Sequence, residues 1–405
     1  MKVGVLVVGH RGATASTTIA ATRLCARGEL APFLLSESGA PARLPLPDPA
    51  AFAWGGWDPF AARESWAETL TRHGVLDLRR WPDLPERMAG VKELEPIALA
   101  RDHAVTSGET HPARRRGAEI LAGLRRDIRA FREGTGADQL VLLNVSAPAL
   151  LGPRERWPRD ADAFLEQLDA GAFESAPPYY VAAAILEGAA VADYTASATL
   201  EMPGVEDLAR REGVPLAGRD GSTGQTLLKS VLAQTFATRK LRVRGWYSAN
   251  ILGNHDGLML SDPRYCDVKK VDKTELLERI LGYPVQAHLV DIRHYLPAGD
   301  EKEAWDAIDF EGLLGARGRL RIDWQCSDSL LAAPALIDLT RLLSWAAAEG
   351  CSGVQPWLGV FFKYALGTPE RRYLALAAEL ERFCREALAG RRLRDNSTTG
   401  RAGAA

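Results

Sequence analysis

A continuous apolar run from Val3 to Val8 breaks into Gly9-His-Arg-Gly12 and then into an alanine-rich periodic segment that ends near Gly28. Strand, glycine turn and helix in that order open a doubly wound α/β sheet, because the turn lets the helix pack back on its strand and leaves free amides at the helix start. Later patterns continue the theme. Residues 32–35 read as a second strand, 112–134 as a helix, and 139–143 as a buried strand ending at Asn144-Val-Ser-Ala-Pro148. A mainly parallel sheet is expected, with its ligand at the carboxyl ends of the strands. After Ser197 the texture changes. A helix over 225–239 leads to strand patterns at 243–247, 285–295 and 317–324 that alternate every second residue, as a half-buried sheet does. Helices return over 329–348 and 370–388, and the residues from about 390 onward read as a disordered tail.

With 405 residues, 46% hydrophobic and 25% charged, the chain has material for two or three compact units. A formal net charge of -2 weighs against a nucleic-acid partner, which would call for concentrated positive charge. Five scattered cysteines without a CxxC pair, and no signal-like run after Met1, fit a reducing cytoplasm. The richest apolar stretches carry charges well within twenty residues, so no membrane span is expected.

The first turn suits a dinucleotide. Gly9 and Gly12, with the amides and hydroxyls of Thr14, Ser16 and Thr17, would hold a pyrophosphate at a helix N-terminus. Glu37 lies about 20–30 positions past the first glycine, where an acidic residue meets an adenosine ribose, and so favours NAD over NADP. A merely structural turn is the alternative.

Lysine usage marks a second region. The chain holds nine lysines against forty-one arginines, and Lys229, Lys240, Lys269, Lys270 and Lys273 cluster in one stretch. A lysine supplies a compact ammonium whose pKa moves on burial, which suits proton transfer or oxyanion stabilisation. Lys240 and Lys270, each beside another cation, read as solvated. Gly218-Arg-Asp-Gly-Ser-Thr-Gly224 precedes a helix and resembles an anion-binding nest, with Lys229 one turn inside. Asn250-Ile-Leu-Gly-Asn254-His-Asp256-Gly257 is a ligand turn or a plain hairpin, and Asp328 an N-cap or a ligand. His10 and His255 are the histidines inside chemistry-bearing turns. No GxSxG, HExxH or paired CxxC occurs.

Ten segments in order resemble the myo-inositol-1-phosphate synthase family over nearly the whole chain: VVGHRGATASTT, LLSES, WGGWD, LLNVSAP, DYTASATLEMP, GRDGSTGQTLLKS, WYSANILGNHDG, the lysines after Ser261, DSLLAAP at Asp328, and VFFK ending at Lys363. The resemblance implies a Rossmann-type NAD-binding domain built from residues 1–194 plus 329–405, and an inserted α/β domain, 195–328, for catalysis and tetramer contacts. It implies a sugar-phosphate substrate, oxidised with NAD, enolised, closed by an internal aldol addition and reduced again. Lys229, Lys269, Lys363 and Asp328 take catalytic positions. Ala13, Asn144, Ser146 and Asp220 join the cofactor set. Thr223, Gly224, Gln225, Asn250, Leu252, Asn254, Asp256 and Lys273 face the substrate, and whether a divalent metal or monovalent cation joins NAD as a cofactor stays open. The family commonly has a further lysine before Lys229, where this chain has Gln225 and Leu227. A paralogue cyclising fructose 6-phosphate to a five-membered ring, a non-catalytic NAD-binding protein and a simple dehydrogenase are the alternative readings.

Overall fold

The computed structural model describes residues 1–31, 33–58, 64–97, 117–146, 148, 151–253 and 276–390. Strands β1 (Val3–Val8), β2 (Phe52–Trp57), β3 (Lys92–Leu94), β4 (Gln139–Asn144), β5 (Ala189–Asp193), β6 (Pro215–Gly218) and a short β11 (Gly353–Val354) form one sheet in the order β11-β6-β5-β4-β1-β2-β3. Every pairing in it is parallel. The order reverses between β1 and β4, which places a crevice at their carboxyl ends.

Alternate side chains of the central strands feed two cores, as the pleat requires. Val3, Val5 and Val7 join Val141 and Leu143 on one face, under helix α1 (Ala13–Cys25) and the long helix Asp328–Ala348, here α9. Leu6 and Val8 join Leu140 and Leu142 on the other, under helices α4 (Gly117–Thr135), α6 (Pro177–Leu186) and α7 (Pro203–Arg211). By length and composition α9 could cross a membrane, but 72% of its apolar window is buried in this core.

The second sheet pairs β7 (Arg242–Leu252), β8 (Ala287–His294), β9 (Glu301–Glu311) and β10 (Arg317–Ser327) in the order β10-β9-β7-β8. Its inner face carries Trp246 and Ile308 against helix α8 (Gln225–Thr238) and the helical residues 276–281. Its outer face leaves Leu289 and Trp305 exposed.

Three expectations change. Residues 35–37 form a 3-10 turn rather than the end of a strand, because the Asp338 carboxylate accepts the Leu35 and Ser36 amides at 2.9 and 3.0 Å. The true second strand is Phe52–Trp57, whose glycine pair looks like a turn. A Cβ at Gly56 would lie 2.1 Å from the Val7 carbonyl oxygen, so the close approach of β2 to β1 needs glycine there. The expected boundary at 195 also falls inside the large-sheet unit, since β6 is a strand of that sheet and α7 packs in its core. The interposed unit begins beyond Gly218. The tail from 391 lies outside the described residues.

Gly56→Ala should cost about 3 kcal/mol of stability through overpacking against β1. Urea denaturation with an unchanged slope and midpoint would show that the strands separate freely, against the packing described.

Candidate active site

The glycine turn after β1 is pinned at both ends. Gly9 holds a φ of +86° and donates its amide to the Trp57 carbonyl at 2.9 Å, and the Gly12 amide closes on the Gly9 carbonyl at 3.0 Å. His10 and Arg11 turn inward. His10 Nε2 lies 2.5 Å from Glu93 Oε2, while Arg11 donates to Glu93 and Thr69 and stacks 3.8 Å over the Trp66 ring. These two side chains are scaffolding. Gly12, Ala13 and Thr14 remain accessible at the start of α1, whereas Ser16 and Thr17 are buried and Ser16 donates its hydroxyl back to the Ala13 carbonyl. Glu37 stands at the 3-10 turn with one carboxylate oxygen bonded to Arg341 Nη1.

At the ends of β4 and β5 a chain of polar groups lines the crevice. Ser146 donates to Asn144 Oδ1 at 2.7 Å, Asn144 Nδ2 to Asp193 Oδ1 at 3.2 Å, and the Thr195 hydroxyl to the same oxygen at 2.7 Å. Complete burial pushes the Asp193 carboxyl up to about 7, against these hydrogen bonds. A Cβ at Gly9 would sit 3.3 Å from the Ser146 backbone. The bare glycine turn and the Asn144–Ser146 pair therefore share one cradle, and the residues fit a dinucleotide.

The turn after β6 is laced to a distant segment by main-chain bonds. Arg219 and Tyr364 exchange amides and carbonyls at 2.7 and 3.2 Å, and the Lys363 amide donates to the Asp220 carbonyl at 2.7 Å. Lys363 Nζ then reaches Asp220 Oδ1 at 2.8 Å, although 143 residues separate them. Next along, the Thr223 hydroxyl lies 3.4 Å from Asp328 Oδ1, and Lys302 Nζ donates to Asp328 Oδ2 at 2.9 Å. Ser327, not Asp328, caps α9: its hydroxyl accepts the Leu330 amide at 3.2 Å and donates to Asp300 at 2.6 Å. The Asp328 carboxylate instead faces the turn. A Cβ on Gly224 would fall 2.9 Å from Asp328 Oδ1 and 3.8 Å from both Lys302 Nζ and Trp324 Nε1. Thr14 of the first turn approaches Ser329 at 3.5 Å, so the first glycine turn and the turn facing Asp328 adjoin.

A second group lies deeper, between α8 and the small sheet. Gln225 Nε2 donates to Asp306 Oδ2 at 2.9 Å, and Asn250 Nδ2 donates to Gln225 Oε1 at 2.6 Å. Asp306 Oδ1 accepts from Trp246 at 2.7 Å and from Ser248 at 2.5 Å. Lys229, one turn after Gln225, is 1% exposed and lies 2.9 Å from Ser248 Oγ and 3.0 Å from His288 Nε2. Burial lowers its pKa to about 8, partly offset by Asp306. Leu252 is buried at the end of β7, in register with Lys302.

Asn254, Asp256, Lys269 and Lys273, with Lys270 and His255, lie outside the described residues. Lys240 is exposed at the end of α8. The sequence reading missed Lys302 and Asp306 on β9, because DEKEAWDAIDFE looks like a solvated charge run. The signal was its alternation: Lys302, Ala304, Asp306 and Ile308 share one face, with Ala304, Asp306 and Ile308 buried. Among the described residues, no group of three or more His, Cys, Asp and Glu side chains is arranged to hold a metal.

Comparison with known proteins bears on this geometry. The model of the family described as myo-inositol-1-phosphate synthase matches residues 224–329. Inositol-3-phosphate synthase 1 of Bacteroides thetaiotaomicron is 31% identical over 384 residues, which span 89% of this chain and 89% of that protein. The Saccharomyces cerevisiae inositol-3-phosphate synthase is 31% identical over 339 residues, 77% of this chain and 62% of that one. The crystal structure of inositol-3-phosphate synthase from Caenorhabditis elegans matches with a TM-score of 0.80 at 23% identity, covering 100% of this chain and 89% of that one. A myo-inositol-1-phosphate synthase-related protein from Thermotoga maritima matches at 0.76 with 20% identity, covering 97% and 99%. These two structures share the fold.

The buried ammonium of Lys229 sets a pH dependence. Above about pH 8 the folded chain releases this proton while the unfolded chain keeps it, so stability rises toward pH 10.5 by about 3 kcal/mol. Lys229→Met should lack this rise when unfolding free energies of both proteins are compared across that range. Parallel curves would contradict the buried, desolvated charge.

Proposed function

The chain belongs to the myo-inositol-1-phosphate synthase family, and from that premise we propose that it is an NAD-dependent cyclase converting glucose 6-phosphate to an inositol phosphate. The observation that carries the proposal is the 31% identity to a curated inositol-3-phosphate synthase over 89% of the chain. The convergence of the Asp220–Lys363 and Asp328–Lys302 pairs beside the nucleotide turn supports it.

NAD, when bound, would supply reversible hydride exchange with a substrate carbinol, so that the net change is an isomerisation. Gly9, Gly12, Ala13 and Thr14 would hold its pyrophosphate at the start of α1, Asn144 and Ser146 would line its cradle, and Glu37 would bind the ribose. The remaining chemistry is loss of a proton beside the ketone, attack of that carbon on the aldehyde, and protonation of the resulting alkoxide. Negative charge appears on successive oxygens. Lys363 is the fixed cation that this chain would set against it from the turn, with Lys269 as a second. Lys302 holds the Asp328 carboxylate toward Gly224, where it can accept a hydrogen bond from a sugar hydroxyl or take up a proton. Lys229 acts from beneath, as a partly depressed ammonium joined to His288 and Ser248.

Gln225 supports a second reading. Its amide is locked between Asp306 and Asn250, so this point of the turn carries no ammonium, and a different sugar phosphate such as fructose 6-phosphate, closing to a smaller ring, would suit it. The exposed outer face of the small sheet suits a homotetramer, in which a second copy covers Leu289 and Trp305.

Incubation with NAD and a panel of hexose phosphates, followed by NMR of the products, tests the proposal. A carbocyclic phosphate should form from glucose 6-phosphate without net accumulation of NADH. Stoichiometric NADH would mean a dehydrogenase, and faster ring closure of fructose 6-phosphate would select the second reading.

A further inference from the structure

Tyr194 follows β5 directly, with its amide donating to the Asn144 carbonyl at 2.9 Å and its carbonyl accepting the Gly221 amide at 3.1 Å. These bonds seat it between the nucleotide cradle and the turn after β6. Its ring occupies the space in front of Gly221, where a Cβ would come 2.0 Å from a ring carbon, and the Phe362 ring meets it edge-on at 6.0 Å. Gly221 adjoins Asp220 and Phe362 adjoins Lys363, so the phenol lies alongside that ion pair. The hydroxyl is shielded from solvent and has no hydrogen-bond partner among the described residues. Folded proteins rarely leave a buried hydroxyl in that state, and doing so costs stability unless a ligand satisfies it. Burial and the nearby carboxylates of Asp220 and Asp328 push its ionisation far above neutral pH, so the phenol is a donor and not a base.

We propose that Tyr194 is a further substrate-binding residue, whose hydroxyl donates a hydrogen bond to an oxygen of the sugar phosphate held between Asp220 and Asp328. The inference rests on the cyclase reading for the identity of that ligand. Gly221 belongs to the same device, because any larger residue there would displace the ring.

Tyr194→Phe removes the oxygen and keeps the ring. If the hydroxyl serves the ligand, the ligand-free variant should melt no lower than wild type, and by about 1 °C or more higher. NAD affinity by calorimetry should be unchanged, while kcat/KM for the sugar phosphate that the wild type cyclises should fall by about tenfold or more. A melting temperature lowered by several degrees would mean that the hydroxyl is bonded within the protein, and an unchanged kcat/KM would mean that it never meets the substrate. Either result overturns the proposal. A wild type that cyclises no hexose phosphate overturns the functional reading instead. In that case calorimetric binding of glucose 6-phosphate and fructose 6-phosphate decides. Weaker binding to the variant supports the role of Tyr194, whereas equal binding, or none to the wild type, overturns it.

Discussion

The site depends on one piece of main-chain pairing, between residues 218–222 and 361–366. Five amide-to-carbonyl bonds join the two segments, from Leu366 on Gly218 to Ser222 on Phe361. Without them Asp220 and Lys363 would belong to separate parts of the chain. With them the ammonium is delivered beside a carboxylate at the mouth of the turn, a few residues before α8 begins. Most such bonds add only about 1 kcal/mol each. Their greater effect is geometric, because electrostatic stabilisation of a developing charge needs donors already held in place.

Charge is distributed over two depths with different consequences. At the mouth, each cation stands beside one carboxylate, and Lys302, Lys363 and Asp328 keep partial access to solvent while Asp220 is buried. Beneath, Asp306 collects the Trp246, Ser248 and Gln225 donors and faces the buried Lys229. A fully buried ammonium is tolerated only with such a partner nearby, and even then its proton is held less tightly. The deep group therefore fixes the shape and potential beneath the turn, while the pairs at the mouth lie nearer solvent. Gln225 sits at the seam, and its neutral amide lets it bond Asp306 and Asn250 together.

The doubly wound sheet was legible because its central strands are buried on both faces, so β1 and β4 read as unbroken apolar runs. The glycine turns at Gly9 and Gly224 were also legible as turns, whereas the pairing of Lys363 with Asp220 across 143 residues was not. Strand β2 was not, because the glycines that let it approach β1 are the residues that signal a turn. Strand β9 was hidden by its charges. Its outward Glu301 and Glu303 mask an inward face on which Lys302 and Asp306 are recruited to the site. The boundary at 195 failed for another reason: β6 is only four residues long, and its membership in the large sheet is decided by parallel pairing with β5, which no local pattern encodes. Tyr194 was visible only as part of a matching segment, since the significance of its hydroxyl lies in what it fails to touch.

The central claim is that the laced turn delivers Lys363 to the reacting sugar and not to the cofactor. Lys363→Met retains much of the stem while removing the charge, and turnover and NAD affinity should be measured on the same preparation. The account predicts a loss of turnover of about a hundredfold or more, on the scale of one missing oxyanion donor, with the calorimetric NAD dissociation constant near that of wild type. Full turnover in the variant, or a loss of NAD binding that parallels the loss of turnover, would contradict it.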